Sequence, residues 1–106
     1  MLQPNAQALL EQFAARVRRV YPGARVWAFG SRVTGGATWE SDLNVCVVLD
    51  RLDRAIRARI SDIAWDVGFE ADQMISTVVF SEEMFEHGPP SAGPLVRTIL
   101  EEGVAA

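Results

Sequence analysis

Two short groups of residues, and one acid apart from them, carry the side chains that could do chemistry. Gly30-Ser31-Arg32 is a small polar turn. Glycine lets the backbone come close to a ligand. The serine hydroxyl and the neighbouring amides suit phosphate oxygens, and Arg32 adds a planar cation. Ten residues further on stands Asp42-Leu43-Asn44, at the head of an apolar run. Side chains at i and i+2 of a strand share a face, so Asp42 and Asn44 point the same way. Their oxygens suit a hard cation such as Mg2+, although an amide oxygen carries no formal charge and binds it less well than a carboxylate. Asp72 lies just before a later apolar run, Gln73 to Phe80, which itself contains no acid. It joins the set only if that strand's register differs from its apolar pattern.

Each of these features also has a plainer reading. A Gly-Ser-Arg turn is common between strands, and Ser41-Asp42 alone could be a cap or turn. His87 sits beside glycine and proline and reads as a loop residue. Cys46 has no basic neighbour in sequence and reads as a buried, inert thiol. Trp39 is close enough to lean on a nucleobase but reads more simply as a hydrophobic cover, and Trp27 and Trp65 as core or interface.

The elements that must position these residues follow from apolar periodicity. Leu9, Leu10, Phe13, Val17 and Val20 recur at helical spacing and predict a helix over 5–21, with Asn5 as N-cap and Pro22-Gly23 as its stop. Residues 25–29 form a short strand, apolar on both faces and therefore central. Residues 30–36 form a turn. Residues 43–49 form a second strand with Leu43, Val45, Val47 and Leu49 on one face and Asp42, Asn44, Cys46 and Val48 on the other. Asp50 caps a helix running to about Val67, with Gly68 as its stop. Residues 73–80 form a third strand. Ser81-Glu82-Glu83 opens a short helix, His87 to Ser91 is a loop, and Pro94 starts a last helix that Gly103 ends, its apolar face made by Leu95, Val96, Ile99 and Leu100.

The unit as a whole, an apolar strand, Gly30-Ser31, ten residues, then Asp42-Leu43-Asn44 on a second strand, resembles the signature of the DNA polymerase beta-like nucleotidyltransferase superfamily. It resembles most the minimal nucleotidyltransferase (MNT) proteins of prokaryotes. The resemblance extends over nearly the whole chain, through Ser81-Glu82-Glu83-Met84-Phe85 and Gly93-Pro94-Leu95-Val96-Arg97. It implies an α+β fold, a small mixed β-sheet with helices packed on one face. It also implies a chemistry: attack on the α-phosphate of a nucleoside triphosphate, helped by two Mg2+ ions held by three acids. The first acid corresponds to Asp42. The second position holds Asn44, a departure from the family's Asp or Glu. The third would belong to the strand over 73–80, where no acid stands, and Asp72 is the one substitute nearby. Gly30, Ser31 and Arg32 correspond to the nucleotide-binding half.

Composition sets the frame. With 106 residues, 49% hydrophobic and 23% charged, the chain suits one globular domain over 1–106. The formal net charge of -4 argues against a non-specific nucleic-acid binder. All the basic side chains other than His87 are arginines. A single cysteine precludes an internal disulfide and suits a reducing compartment. No stretch reads as a signal peptide or membrane span, so the expected location is cytoplasmic. The resemblance implies two functions. One is an antitoxin-type partner of a HEPN-domain toxin, as proteins of this kind commonly are, with an incomplete Mg2+ site. The other is an active Mg2+-dependent enzyme that transfers AMP from ATP to a partner protein or small acceptor. A homodimer is also expected, because a small sheet leaves an edge to cover.

Overall fold

The computed structural model describes residues 2–35 and 42–106. Helix α1 spans Pro4–Val20 and strand β1 spans Arg25–Phe29. A four-residue helix, α2, follows at Ser31–Thr34, then strand β2 at Leu43–Leu49 and helix α3 at Arg54–Ala71. Strand β3 is Ile75–Ser81, helix α4 is Glu82–Glu86, a 3-10 turn covers Pro89–Ala92, helix α5 is Pro94–Glu102 and strand β4 is Val104–Ala105. The four strands lie in the order β3-β2-β1-β4. β1 is antiparallel to both β2 and β4, whereas β2 and β3 are parallel, so the sheet is mixed.

Strand parity determines the two faces. Val26, Ala28, Leu43, Val45, Val47 and Leu49 all enter the larger core, with Phe13 and Val17 of α1 and Ile60 and Val67 of α3. The two long helices thus form the layer on one face that the sequence implies. The opposite face carries Cys46, Val48 and Phe80, packed against Phe85 of α4 and Val96 and Ile99 of α5. These short helices add a partial second layer. Trp27 belongs to it, with its ring centroid 5.4 Å from that of Phe85. In α5, Val96 and Ile99 are buried, but Leu95 and Leu100 are exposed, so the expected apolar face is narrower than its sequence pattern.

Several boundaries differ from those read in the sequence. α1 starts at Pro4 with Gln3 at the cap, and the Asn5 side chain accepts from the amide of Ala6 inside the helix. α3 is capped by Asp53, whose Oδ1 accepts from the Ile56 amide at 2.8 Å; Asp50 accepts from the Arg51 amide instead and lies before the helix. Leu52, half-buried against the core, occupies the connection between them. Gly68 does not stop α3. A Cβ there would stand 2.5 Å from the Gln73 carbonyl oxygen, so glycine is required by close packing of the following turn. The stop is Asp72, in the left-handed region at φ 55°. β3 consequently begins at Ile75 rather than Gln73. The predicted caps at Ser81 and Gly103 are in place, and His87 ends α4 as an exposed residue.

Among the described residues, no helix is long and apolar enough to cross a membrane.

Candidate functional site

The β1–β2 pairing builds the site. Phe29 stands opposite Asn44, so the residue after β1, Gly30, turns directly over the Asn44 side chain. A Cβ on Gly30 would lie 2.6 Å from Asn44 Nδ2. Gly30 also has φ 88° and ψ -161°, a combination accessible essentially only to glycine. Two independent constraints therefore fix this glycine. Its carbonyl accepts from the amides of Val33 and Thr34, at 3.0 and 3.1 Å, which starts α2. Ser31 is the first residue of that helix and is exposed. Gly35 closes it at φ 95°, with its amide donating to the Ser31 carbonyl. The stretch expected as an open turn thus contains one tight helical turn.

Arg32 faces inward. It is buried, and its Nη1 donates to Gln73 Oε1 at 2.6 Å. The next residue, Met74, accepts through its carbonyl from the Leu43 amide at 2.9 Å. Arg32 therefore ties the Gly30-Ser31 turn to the entry of β3, and in this conformation it does so rather than presenting an outward cation.

Asp42 is exposed at the head of β2, and Asn44 is half-buried two residues on. The parallel register sets Ser76 of β3 level with Asn44. Ser76 Oγ donates to Asp42 Oδ2 at 2.9 Å. The position from which an acid of β3 could have joined Asp42 and Asn44 is therefore held by a hydroxyl. Ser76 and Gln73, which hydrogen-bond Asp42 and Arg32, are the positions beside the candidate site that the sequence reading did not single out. Parity within β3 gives the signal for Ser76, but only once its register against β2 is known.

Asp72 is not brought to this group. As the left-handed cap of α3 it lines a hollow of about 530 Å3 on the helix side, with Trp65, Gly68, Phe69, Ile75 and Thr77. Asp42 and Asn44 face the other side of the sheet. Among the described residues, no group of three or more His, Cys, Asp or Glu could hold a metal ion. Trp39 and Ser41 lie outside the described residues. Cys46, on the same face as Asn44, is buried, and burial pushes its thiol up to about 12 from 9.0 against a smaller opposing effect of Arg25. A thiol held neutral is not a nucleophile, so its reading as inert stands.

Among the described residues, the donors gathered on this face are one carboxylate, one amide and one hydroxyl. Two Mg2+ ions carry four positive charges, against which Asp42 supplies one negative charge.

Comparison with known proteins agrees with this architecture. No curated protein matches the chain. A Sulfolobus solfataricus candidate nucleotidyltransferase superposes with a TM-score of 0.60 at 16% identity, covering 95% of this chain and 81% of that one. A toxin–antitoxin structure with AMP-PNP gives 0.59 at 20% identity, over 90% and 70% of the two chains. A variant of the toxin–antitoxin pair MntA–HpeT gives 0.57 at 19% identity, over 87% and 68%. These likenesses establish the fold. The nucleotidyltransferase domain family model matches residues 10–105, a span that holds the Gly30-Ser31 turn, Asp42, Asn44 and all four strands, and the chain belongs to the nucleotidyltransferase domain family.

Proposed function

We propose that this chain is the antitoxin-type partner of a HEPN-domain toxin and acts by binding it, with little or no nucleotidyl transfer. The observation that carries this is that, among the described residues, the donors beside the turn are Asp42, Asn44 and Ser76, where the chemistry calls for three acids. The likeness to structures of toxin–antitoxin pairs supports the partner class. The acidic total suits a basic partner, and the single buried thiol suits the cytoplasm. Gly30 and Ser31 would hold the phosphates of ATP, with Arg32 fixing the turn from behind.

A second reading, an active enzyme transferring AMP to the toxin, is favoured by one feature. The Gly30 turn keeps a glycine-only conformation directly over Asn44, and Asp42 remains exposed beside it. The test is incubation with labelled ATP, Mg2+ and the neighbouring gene product as the toxin, with Asp42→Ala as control. A stable complex without label on the toxin is the expected result. Label that appears and is lost in the control would establish the enzyme instead. Asn44→Asp restores a second acid and should tighten Mg2+ binding, measured by titration calorimetry. Unchanged affinity would mean that the missing charge is not what limits the site.

A further inference from the structure

Among the described residues, the sheet ends differently on its two sides. On one side the outermost strand is β4, two residues long. On the other it is β3, seven residues long. Natural sheets blunt a long edge with charges, proline or a bulge. From Gln73 to Ser81 there is no charged residue, proline or glycine, and β3 pairs with β2 from Ile75 to Ser81 without a bulge. Parity tells which backbone groups face out. The Met74 carbonyl accepts from the Leu43 amide, so Ser76, Val78 and Phe80 also direct their backbone groups to β2. Ile75, Thr77 and Val79 direct theirs away from the sheet.

The helix layer beside this edge has a shape of its own. The hollow of about 530 Å3 lies between β3 and one flank of α3, where Ser61, Trp65 and Gly68 line it together with Ile75 and Thr77. Trp65 is 62% exposed and Phe69 76% exposed at its rim. At helical spacing Arg57 lies one turn before Ser61 on this flank, and Arg54 one turn before that. Asp72 stands at the flank's other end, also lining the hollow. Asp62, Asp66 and Glu70 fall on the opposite flank.

We propose that β3 is the seam of a two-fold dimer, in which it pairs antiparallel with β3 of a second copy and joins the two sheets into one. Two observations commit the edge to a second copy. The first is polarity. With the axis beside Thr77, this residue exchanges both outward backbone bonds with its own counterpart, and Ile75 stands opposite Val79. On the face toward α3, hydroxyl then meets hydroxyl and aliphatic meets aliphatic, pairings that stabilise a sheet. An axis at Val78 would set Thr77 opposite Val79 and Ile75 opposite Ser81, and one at Ser76 would set Ile75 opposite Thr77. The second observation is charge. Ser61 and Thr77 line the same hollow, so the axis passes near Ser61. The two α3 helices run antiparallel on one face of the joined sheet, and the Arg54–Arg57 end of each flank meets the Asp72 end of the other. Asp62, Asp66 and Glu70 face away from the axis. The two hollows meet across it, which takes Trp65 out of water. This dimer does not depend on what the Gly30 face binds.

The test is the association state of the intact chain by analytical ultracentrifugation, joined to amide exchange by NMR. The wild type should be dimeric at about 0.1 mM. As the dimer fills, the amides of Ile75, Thr77 and Val79 should gain protection together, while those of Ser76 and Val78, already bonded to β2, should not change. Thr77→Lys sets two cations opposite each other on the axis and should weaken dimerisation about tenfold or more. Thr77→Glu should do the same with two anions. An equimolar mixture of these two chains should form the heterodimer, which excludes misfolding as the cause. Thr77→Cys should form an intermolecular disulfide, since residues of a bonded pair lie about 5.5 Å apart, and Ser81→Cys should not. A wild type that is monomeric at about 0.1 mM, chains that fail to pair on mixing, or a disulfide through Ser81→Cys would each overturn the proposal. So would protection of the three outward amides only when the neighbouring gene product is added, which would give the edge to that protein.

Discussion

At the scale of single residues, Gly30 and Cys46 yield the sharpest expectations. Gly30→Ala introduces strain at φ 88° and a Cβ 2.6 Å from Asn44 Nδ2. The backbone conformation alone costs on the order of 1–3 kcal/mol, so urea unfolding should show a loss of at least that size. Combining it with Asn44→Ala should recover only the part due to the clash. Cys46 predicts a pH dependence. Its thiol is raised in the folded chain from 9.0 to about 12, so above pH 9 the unfolded chain ionises while the folded chain does not. Stability should therefore fall as pH rises from 9 toward 12, by about 1.4 kcal/mol per pH unit from this group. The chain has no lysine to titrate in that range. Thermal unfolding of Cys46→Ala should show a flatter decline. Gly30, Ser31, Asp42 and Asn44 were legible because spacing alone brings them to one turn and one strand face. Ser76 was not, since its place beside Asp42 comes from the pairing of β2 with β3, which links residues more than thirty apart. Arg32 was legible as a cation but not as a buried one, because its partner Gln73 lies 41 residues further along the chain.

At the scale of elements, α3 shows how a cap is decided. Asp50 and Asp53 are both good N-cap residues, and the sequence pattern favours the first. The structure uses the second, because β2 stays extended to Leu49 and Leu52 packs on the core before the helix can start. Asp53→Ala should cost about 1 kcal/mol, measured by chemical denaturation. Asp50→Ala should fall within ~0.5 kcal/mol of wild type, as surface changes away from such features do. The strands and long helices were legible because their periods run for several turns or residues. α2 and β4 were not, as four residues and two residues are too few to show a period.

At the scale of the whole molecule, the order β3-β2-β1-β4 places β2 between two fully paired neighbours. β4 adds two residues to the outer side of β1. Amide hydrogen exchange should be slowest in Leu43–Leu49 and fastest, among the strands, in Val104–Ala105. Comparable protection in both would contradict this arrangement. The two faces of β2 also differ in what they specify. Toward α1 and α3 it presents Leu43, Val45, Val47 and Leu49, a row so uniform that sliding the strand by two positions would return aliphatic against aliphatic. Toward α4 and α5 it changes from Asp42 and Asn44 to Cys46 and Val48. Such a slide would push a carboxamide beneath Phe85 and Ile99 and carry Gly30's neighbour away from it. The polarity step that supplies the site's donors is thus also the ruler by which the sheet finds its alignment, and erasing it with apolar side chains would leave two alignments close in energy.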